Sequence, residues 1–256
     1  MKAIILAGGY ATRLQPLTDH LSKCLLPVGG RPIVDWILDR IRDLREVDAV
    51  HVVTNSRFAE DFERWAATKP AIVVHDDGTT SNDDRLGAMG DVAFTIARAG
   101  IDDDVLVVAG DNLFDYSLRD YVAYWRDKGV ASAVAVHDVG DLRLAGQYGI
   151  VETAADDRIV GFLEKPSEPA STLAATATYL YHREHVPLVS RYLAEGNAPD
   201  QAGSFIAWLH QREPVYAYSF PGSWVDIGDP AQLLEADNRV RRAVGLPERA
   251  EYSIDA

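Results

Sequence analysis

Residues 1–18 read MKAIILAGGYATRLQPLT, an apolar run that stops abruptly at two glycines. The run Ala3–Ala7 is typical of a strand buried on both faces, and it is too short for a membrane span or a signal peptide. Glycines after a strand let the backbone approach a ligand and direct its N–H groups at an anion. The stretch therefore predicts a first sheet strand and an anion-binding loop, with Arg13 as a cation beside it.

Downstream of this strand, apolar runs alternate with stretches of helical periodicity. Predicted strands are Ala49–Thr54, Ala71–His75, Val105–Ala109 and Ala131–Val136, and predicted helices are Pro32–Leu44, Arg57–Ala67, Ala88–Ala99 and Leu118–Lys128. This alternating order predicts an α/β fold: a doubly wound, Rossmann-like, mostly parallel mixed sheet with helices on both faces.

The second half is richer in strands. Its predicted strands are Tyr148–Glu152, Ile159–Glu164, Ala175–Tyr181, Val215–Phe220 and Trp224–Ile227, and its helices are Val186–Leu193, Phe205–His210 and Pro230–Val244. The first two strands flank a polar turn and should pair. Asp229, just before Pro230, is expected to cap the last helix. We expect one domain over residues 1–244, with a small β-rich part, and a tail over 245–256.

Composition excludes several classes of protein. The formal net charge is −14, from 25 basic and 39 acidic residues, which argues against nucleic acid and anionic membranes as partners. A small anionic ligand needs only a local positive pocket or a metal. The single cysteine, Cys24, excludes an internal disulfide framework and favours a reducing, cytoplasmic setting. His182 and His185 lack further ligands nearby in sequence and are interpreted as surface residues.

Four further strings carry chemistry-bearing residues: 22–27 (SKCLLP), 105–112 (VLVVAGDN), 147–166 with YGIVE and GFLEKP, and 223–230 (SWVDIGDP). The second delivers Asp111 at the carboxyl end of a strand, where open α/β sheets bind ligands, and a carboxylate there suits a hard cation. Taken singly, each string is equally compatible with a surface turn.

Together with residues 6–18, these strings resemble the sugar-1-phosphate nucleotidyltransferases. That family opens with L-A-G-G-x-G-T-R-L-x-P-L-T and a following lysine string, and carries G-D-x, Y-G-x-V, E-K-P and W-x-D-x-G in this order. The resemblance covers roughly residues 1–240. Ala11 stands where the family usually has glycine, and Ser22 where proline is common.

The resemblance implies a role for each matching position. Catalytic residues would be Arg13, Lys23, Asp111 and Lys165, and Mg²⁺ would be held by Asp111 and Asp226. Nucleotide-binding residues would be Leu6, Gly8, Gly9, Ala11, Thr12, Arg13, Asn82, Gly87 and Asn112. The sugar phosphate would be bound by Gly149, Glu164, Lys165 and Thr178.

The implied reaction joins an NTP and a sugar 1-phosphate into an NDP-sugar and pyrophosphate, with dTTP or UTP as the favoured nucleotide and a homodimer or higher homo-oligomer as the assembly. A GTP-dependent enzyme acting on a mannose or heptose 1-phosphate is the alternative. A catalytically silent nucleotide-binding domain would be expected to lack a charged position, and all are present. A metal-dependent glycosyltransferase should carry D-x-D, whereas residues 111–113 read DNL.

Overall fold

A computed structural model describes residues 1–254, folded as helices packed on both faces of a mixed sheet. The strands are β1 (Lys2–Ala7), β2 (Pro27–Val28), β3 (Arg31–Pro32), β4 (Ala49–Thr54), β5 (Ile72–Asp76), β6 (Val105–Ala109), β7 (Asn112–Phe114), β8 (Ser132–Asp138), β9 (Gly149–Thr153), β10 (Ile159–Glu164), β11 (Leu173–Tyr181), β12 (Val215–Ser219) and β13 (Trp224–Asp226). The helices are α1 (Ile33–Arg42), α2 (Ala59–Ala66), α3 (Ala88–Ala99), α4 (Leu118–Asp127), α5 (Leu142–Ala145), α6 (Pro187–Ala194), α7 (Ala202–Leu209) and α8 (Pro230–Ala243). In this part of the chain no helix has the length and apolar character needed to cross a membrane.

The central sheet has the strand order β10-β9-β11-β6-β1-β4-β5. Strands β6, β1, β4 and β5 are parallel, β11 runs antiparallel to β6, and β8 joins β11 to β12. The expected α/β class with a largely parallel sheet is confirmed. The predicted pairing of β9 with β10 is confirmed as an antiparallel ladder from Ile159–Thr153 to Glu164–Gly149.

The two faces of the sheet bury separate apolar layers because side chains alternate along each strand. Ile5 of β1 packs in the layer beneath α1 and α4, and Ile4 packs in the layer beneath α3, α6 and α7. Such two-sided burial explains why β1 and β6 are continuous apolar runs rather than alternating ones.

Hydrogen bonds fix the start of α8 and the segment that follows this helix. Asp229 caps α8, as expected: its Oδ1 accepts from the Gln232 N–H at 2.9 Å. Beyond α8 the chain returns to the body, because the Arg249 N–H donates to Asn238 Oδ1 at 2.7 Å and the Tyr252 hydroxyl donates to the Pro27 carbonyl at 2.8 Å.

Sequence reasoning was wrong about His185. It is 2% exposed and its Nδ1 lies 2.9 Å from Ser132 Oγ. The fold buries it because β8, which carries Ser132, runs beneath the turn that leads into α6. The imidazole thus satisfies a serine hydroxyl that is itself fully buried.

Candidate active site

The backbone of the loop after β1 is fixed by hydrogen bonds from side chains elsewhere in the chain. Asn55 Nδ2 donates to the Gly8 carbonyl at 2.9 Å, and Thr18 Oγ1 donates to the Ala11 carbonyl at 3.0 Å. Ala11 has φ 46°, the left-handed region that normally favours glycine. The loop therefore keeps the conformation of a glycine-rich turn even where alanine replaces glycine.

This loop forms one wall of a cavity of about 180 Å³. The cavity is lined by Leu6, Gly8, Gly9, Arg85, Gly87, Ala88, Asp91 and Asp200. Four of these residues, Leu6, Gly8, Gly9 and Gly87, were predicted to bind nucleotide. Asn82 lies on the exposed loop just before it, where its carbonyl accepts from Arg85 Nη1 at 2.8 Å.

Two carboxylates meet at the end of a separate two-stranded ribbon. Asp111 precedes β7 and Asp226 ends β13, and these strands pair antiparallel with Asn112 opposite Asp226. Lys23 lies between them: its Nζ forms an ion pair with Asp111 and donates to the Ile227 carbonyl at 2.7 Å. The structure thus brings together three side chains that lie far apart in the sequence.

The charges in this group perturb one another. Burial raises the pKa of Asp226 and the negative charge of Asp111 raises it further, while Lys23, Arg13 and Lys165 oppose the shift. Burial, the largest single effect, lowers the pKa of Lys23, but the charge and hydrogen bond of Asp111, together with the charges of Cys24 and Asp226, raise it overall. Two carboxylates that repel each other in a partly buried cleft form a site that favours a cation.

The donor set fits a hard divalent cation. Carboxylate oxygens are the ligands that Mg²⁺ prefers, and it is usually bound through one or two carboxylates plus substrate phosphates and water. Among residues 1–254 no group of three or more His, Cys, Asp or Glu side chains could hold a metal alone. Asp111 and Asp226 therefore suit an ion that takes its remaining ligands from elsewhere.

Asn112 supports Asp111. Its Nδ2 donates to Asp111 Oδ1 at 3.2 Å, and its Oδ1 accepts from Trp224 Nε1 at 2.7 Å. Asn112 is only 2% exposed. Its amide thus links Trp224 to Asp111 and orients the carboxylate. Asn112 also lines the larger of the two cavities, and its nucleotide-binding role stays a prediction.

A second cavity, of about 350 Å³, adjoins the carboxylates and contains the predicted sugar-phosphate residues Gly149, Glu164 and Lys165. Burial raises the pKa of Glu164. A Cβ atom at Gly149 would lie 2.9 Å from Glu164 Oε2 and 2.7 Å from Phe162 Cζ. Glycine at 149 therefore leaves this carboxylate and the Phe162 ring in place, whereas a side chain there would displace them.

Thr178 is a correction. Its side chain is fully buried, whereas the cavity is lined from β11 by Ala175, Ala177 and Tyr179. Because side chains alternate along a strand, Thr178 points to the opposite face of the sheet. Tyr179 takes the position at the cavity wall that was expected of Thr178.

The remaining predicted residues lie around the cleft. Thr12 and Arg13 form a single 3-10 turn after the loop. A Cβ atom at Gly228 would lie 3.4 Å from Arg13 Nη2, which places this guanidinium beside the turn that follows Asp226. Lys165 has φ 46°, and its N–H donates to the Tyr148 carbonyl at 3.0 Å. Its side chain lines the larger cavity.

Gly203, Asp77 and Asp91 are among the residues that sequence reasoning missed. Gly203, at the start of α7, packs against Glu164, and Asp77 and Asp91 pack against Gly8. No motif announced them. Asp91 falls on the helical face of α3 that turns inward, and a charged residue on such a face was the only available signal.

Comparisons with known proteins confirm the resemblance to the nucleotidyltransferases. Residues 2–243 match the family model described as nucleotidyl transferase. The chain is 27% identical over 237 residues to the bifunctional protein GlmU of Methanocaldococcus jannaschii, covering 93% of this chain and 53% of that protein. It is 29% identical over 238 residues to a Sulfolobus acidocaldarius protein named as a mannose-1-phosphate guanyltransferase, covering 91% and 61%. The chain thus spans only about half to three-fifths of these relatives.

A solved structure shares the fold. It is titled as a glucose-1-phosphate thymidylyltransferase of Bacillus anthracis and superposes with a TM-score of 0.81 at 24% identity, covering 94% of this chain and 95% of that one.

Proposed function

Because the chain belongs to the nucleotidyl transferase family, we propose that it transfers a nucleotidyl group from an NTP to a sugar 1-phosphate. The observation that carries the proposal is the convergence of Asp111, Asp226 and Lys23 at the larger cavity, which Asp111 and Asp226 line together with Glu164 and Lys165. The catalytic domain would comprise residues 1–244.

In the proposed reaction a phosphate oxygen of the sugar 1-phosphate attacks the α-phosphorus of the NTP. The bond from that phosphorus to the bridging oxygen breaks, and pyrophosphate leaves. The attacking phosphate is already ionised, so no general base is required. The protein then acts by positioning and by neutralising charge.

Each charged residue has a place in this scheme. The loop from Gly8 would receive the nucleotide, with Arg13 and Lys23 stabilising the triphosphate and the departing pyrophosphate. Lys165 would orient the attacking phosphate, and Glu164 would accept hydrogen bonds from sugar hydroxyls. A magnesium ion held by Asp111 and Asp226 would supply positive charge at the α-phosphate.

For the nucleotide, dTTP or UTP is our first proposal, from the resemblance to pyrimidine-using relatives. GTP is the second candidate, since the Sulfolobus acidocaldarius relative is named as a guanyltransferase. A homo-oligomer and a cytoplasmic setting stay predictions; light scattering of the purified protein tests the first.

The test is pyrophosphate release with Mg²⁺, crossing dTTP, UTP, GTP, CTP and ATP with the 1-phosphates of glucose, mannose, galactose and N-acetylglucosamine. Sugar-dependent release with one NTP would support the proposal and identify the base. Thermal stabilisation by nucleotide without release would instead indicate a silent binding domain.

Two variants test the assigned residues against a matched control. Asp111→Asn and Arg13→Ala should each lower kcat/KM by at least about a hundredfold while the protein stays folded. Asp127→Asn, on the exposed end of α4, removes a carboxylate of the same type far from the cleft and should leave turnover unchanged. Near-normal turnover in either cleft variant would contradict its role.

A further inference from the structure

Two carboxyl groups lie directly against the backbone of the loop after β1. Asp91, in the first turn of α3, is 6% exposed, and Asp77 follows β5. A Cβ atom at Gly8 would lie 2.5 Å from Asp91 Oδ2 and 3.4 Å from Asp77 Oδ2. The carboxyl groups of Asp77 and Asp91 therefore pack directly against Gly8.

If both groups were ionised, two of their buried oxygens would lack a hydrogen-bond donor. Asp77 Oδ1 accepts from the Thr79 N–H at 2.7 Å. Asp77 Oδ2 and Asp91 Oδ1, however, are buried and have no hydrogen-bond partner within residues 1–254. Two carboxyl groups in contact can bond each other only if one of them carries a proton. A single shared proton would satisfy both oxygens.

The surroundings favour that proton. Burial raises the pKa of Asp91 to about 8, with the negative charge of Asp77 adding to it. Burial also raises the pKa of Asp77, and the neighbouring Asp76 contributes in the same direction. These shifts favour a singly protonated pair at neutral pH.

Within residues 1–254 no basic side chain acts on the pKa of Asp91, so no cation replaces the proton. Across the small cavity, Arg85 is already paired with Asp200, with 3.0 Å between Nη2 and Oδ1. The residue after β4 that contacts the loop is the neutral Asn55. The loop itself contributes Tyr10, whose hydroxyl lies 3.3 Å from Thr79 Oγ1.

The charges of Arg57 and Asp84 act on Tyr10 rather than on Asp91.

We propose that Asp91 is a positioning residue for nucleotide binding, which holds Gly8 in its binding conformation through a proton shared with Asp77. The inference rests on the proposed function, in which this loop receives the NTP. Loss of the proton leaves two negative charges in contact beneath the loop. Their repulsion displaces Gly8, and the added charge opposes a triphosphate.

The first measurement is the affinity for the NTP chosen by the release assay, or for dTTP, UTP and GTP in turn if none reacts, by calorimetry between pH 6.5 and 9. The wild-type Kd should rise about tenfold between pH 7 and pH 9, because binding requires the form that is lost near pH 8. In Asp91→Asn an amide donates to Asp77 and has no proton to lose, so its Kd should stay flat. Asp83→Asn, an exposed carboxylate of the following loop, should keep the wild-type profile.

With turnover, the same dependence should appear in KM for the NTP and not in kcat, since Asp91 Oδ1 is sealed from substrate.

The second measurement is thermal unfolding, which needs no nucleotide. A carboxyl group whose pKa is raised by folding binds more protons in the folded state, so its contribution to stability is lost as pH rises through about 8. The melting temperature of the wild type should therefore fall relative to Asp91→Asn between pH 6.5 and 9. If Asp91→Asn does not fold, Asp77→Asn removes the same repulsion from the other side.

The outcomes separate the two proposals. Parallel melting profiles for wild type and variant would show that no proton is shared and would overturn the inference. Diverging melting profiles with a pH-independent Kd would leave the pair intact but refute its positioning role. Absence of nucleotide binding at every pH would overturn the proposed function, and the positioning role with it.

Discussion

Replacing Gly203 with alanine should separate sugar recognition from nucleotide recognition. Gly203 lies in α7, where a Cβ atom would be 2.5 Å from Glu164 Oε2 and 2.7 Å from Phe162 Cζ. To reach an ordinary contact of 3.4 Å, the carboxylate must retreat by about 0.9 Å. The ring of Phe162, which also belongs to β10, must give way as well. A displacement of this size exceeds the ~0.5 Å tolerance of a functional constellation.

The expected cost follows from the role proposed for Glu164. A hydrogen bond to a charged group contributes about 1.5–3 kcal/mol, which corresponds to roughly a 10- to 150-fold change in an equilibrium constant. Gly203→Ala should therefore raise KM for the sugar 1-phosphate by roughly 10- to 150-fold, with little change in KM for the NTP. The assay is initial-rate pyrophosphate release at saturating NTP with the sugar phosphate varied, then the reverse.

A matched control is Gly90→Ala. Gly90 is also helical, but its Cβ would meet the Leu86 side chain at 2.9 Å rather than a residue of the larger cavity. Both variants gain helix propensity, so a general change in stability would affect them alike. A sugar KM within twofold of wild type in folded Gly203→Ala, or an equal rise in both KM values, would refute the reasoning.

Three further predictions concern stability and support of the site. Trp224→Phe removes the donor to buried Asn112 Oδ1, so urea unfolding should show that the free energy of unfolding falls by about 1–3 kcal/mol. The value of kcat should fall by a larger factor than KM changes. An unchanged kcat would contradict the role of Asn112 in supporting Asp111. His51 Nδ1 lies 2.9 Å from His75 Nε2, and burial lowers the pKa of His51 to about 4. Below pH 6.5 the unfolded state therefore binds a proton that the folded state does not, so the free energy of unfolding should fall from pH 7 to pH 5. His51→Gln should lessen that fall in the same urea assay. Ala11→Gly removes the strain of an alanine in the left-handed region but gives the unfolded chain more freedom, so the two effects oppose each other. Calorimetry should find the free energy of unfolding changed by no more than about 1 kcal/mol. A larger loss would mean that the Ala11 methyl group makes a packing contact.

The sequence predicts the parallel half of the fold well because its signals are local. The apolar run Val105–Ala109 and the helix Ala88–Ala99 were bounded correctly, since each is decided by periodicity and by a glycine that follows. β7 was missed because Asn112–Phe114 has only three residues, and its pairing with β13 depends on a partner far along the chain. No local pattern specifies such a pairing.

For the site, motifs placed the charged residues near one another but could not orient them. Thr178 was assigned to the cavity although the alternation of β11 turns it away, and the bulge near Ala177 makes that alternation hard to count from sequence. The motif did not indicate that Asn112 joins Trp224 to Asp111, and its contact with nucleotide stays a prediction. Both outcomes depend on contacts that exist only in the folded chain.

The pairing of β7 with β13 joins two parts of the chain that are synthesised at widely separated times. Lys23 and Ile227 are separated by 204 residues, and Asn112 and Trp224 by 112. Contacts of such high sequence separation form late, because the intervening chain must first lose its freedom. A nascent chain can complete β1, β4, β5 and β6 on the ribosome while still lacking its second carboxylate. An unfinished chain therefore lacks the pairing that brings Asp226 beside Asp111, and this pairing forms only after β13 has been synthesised.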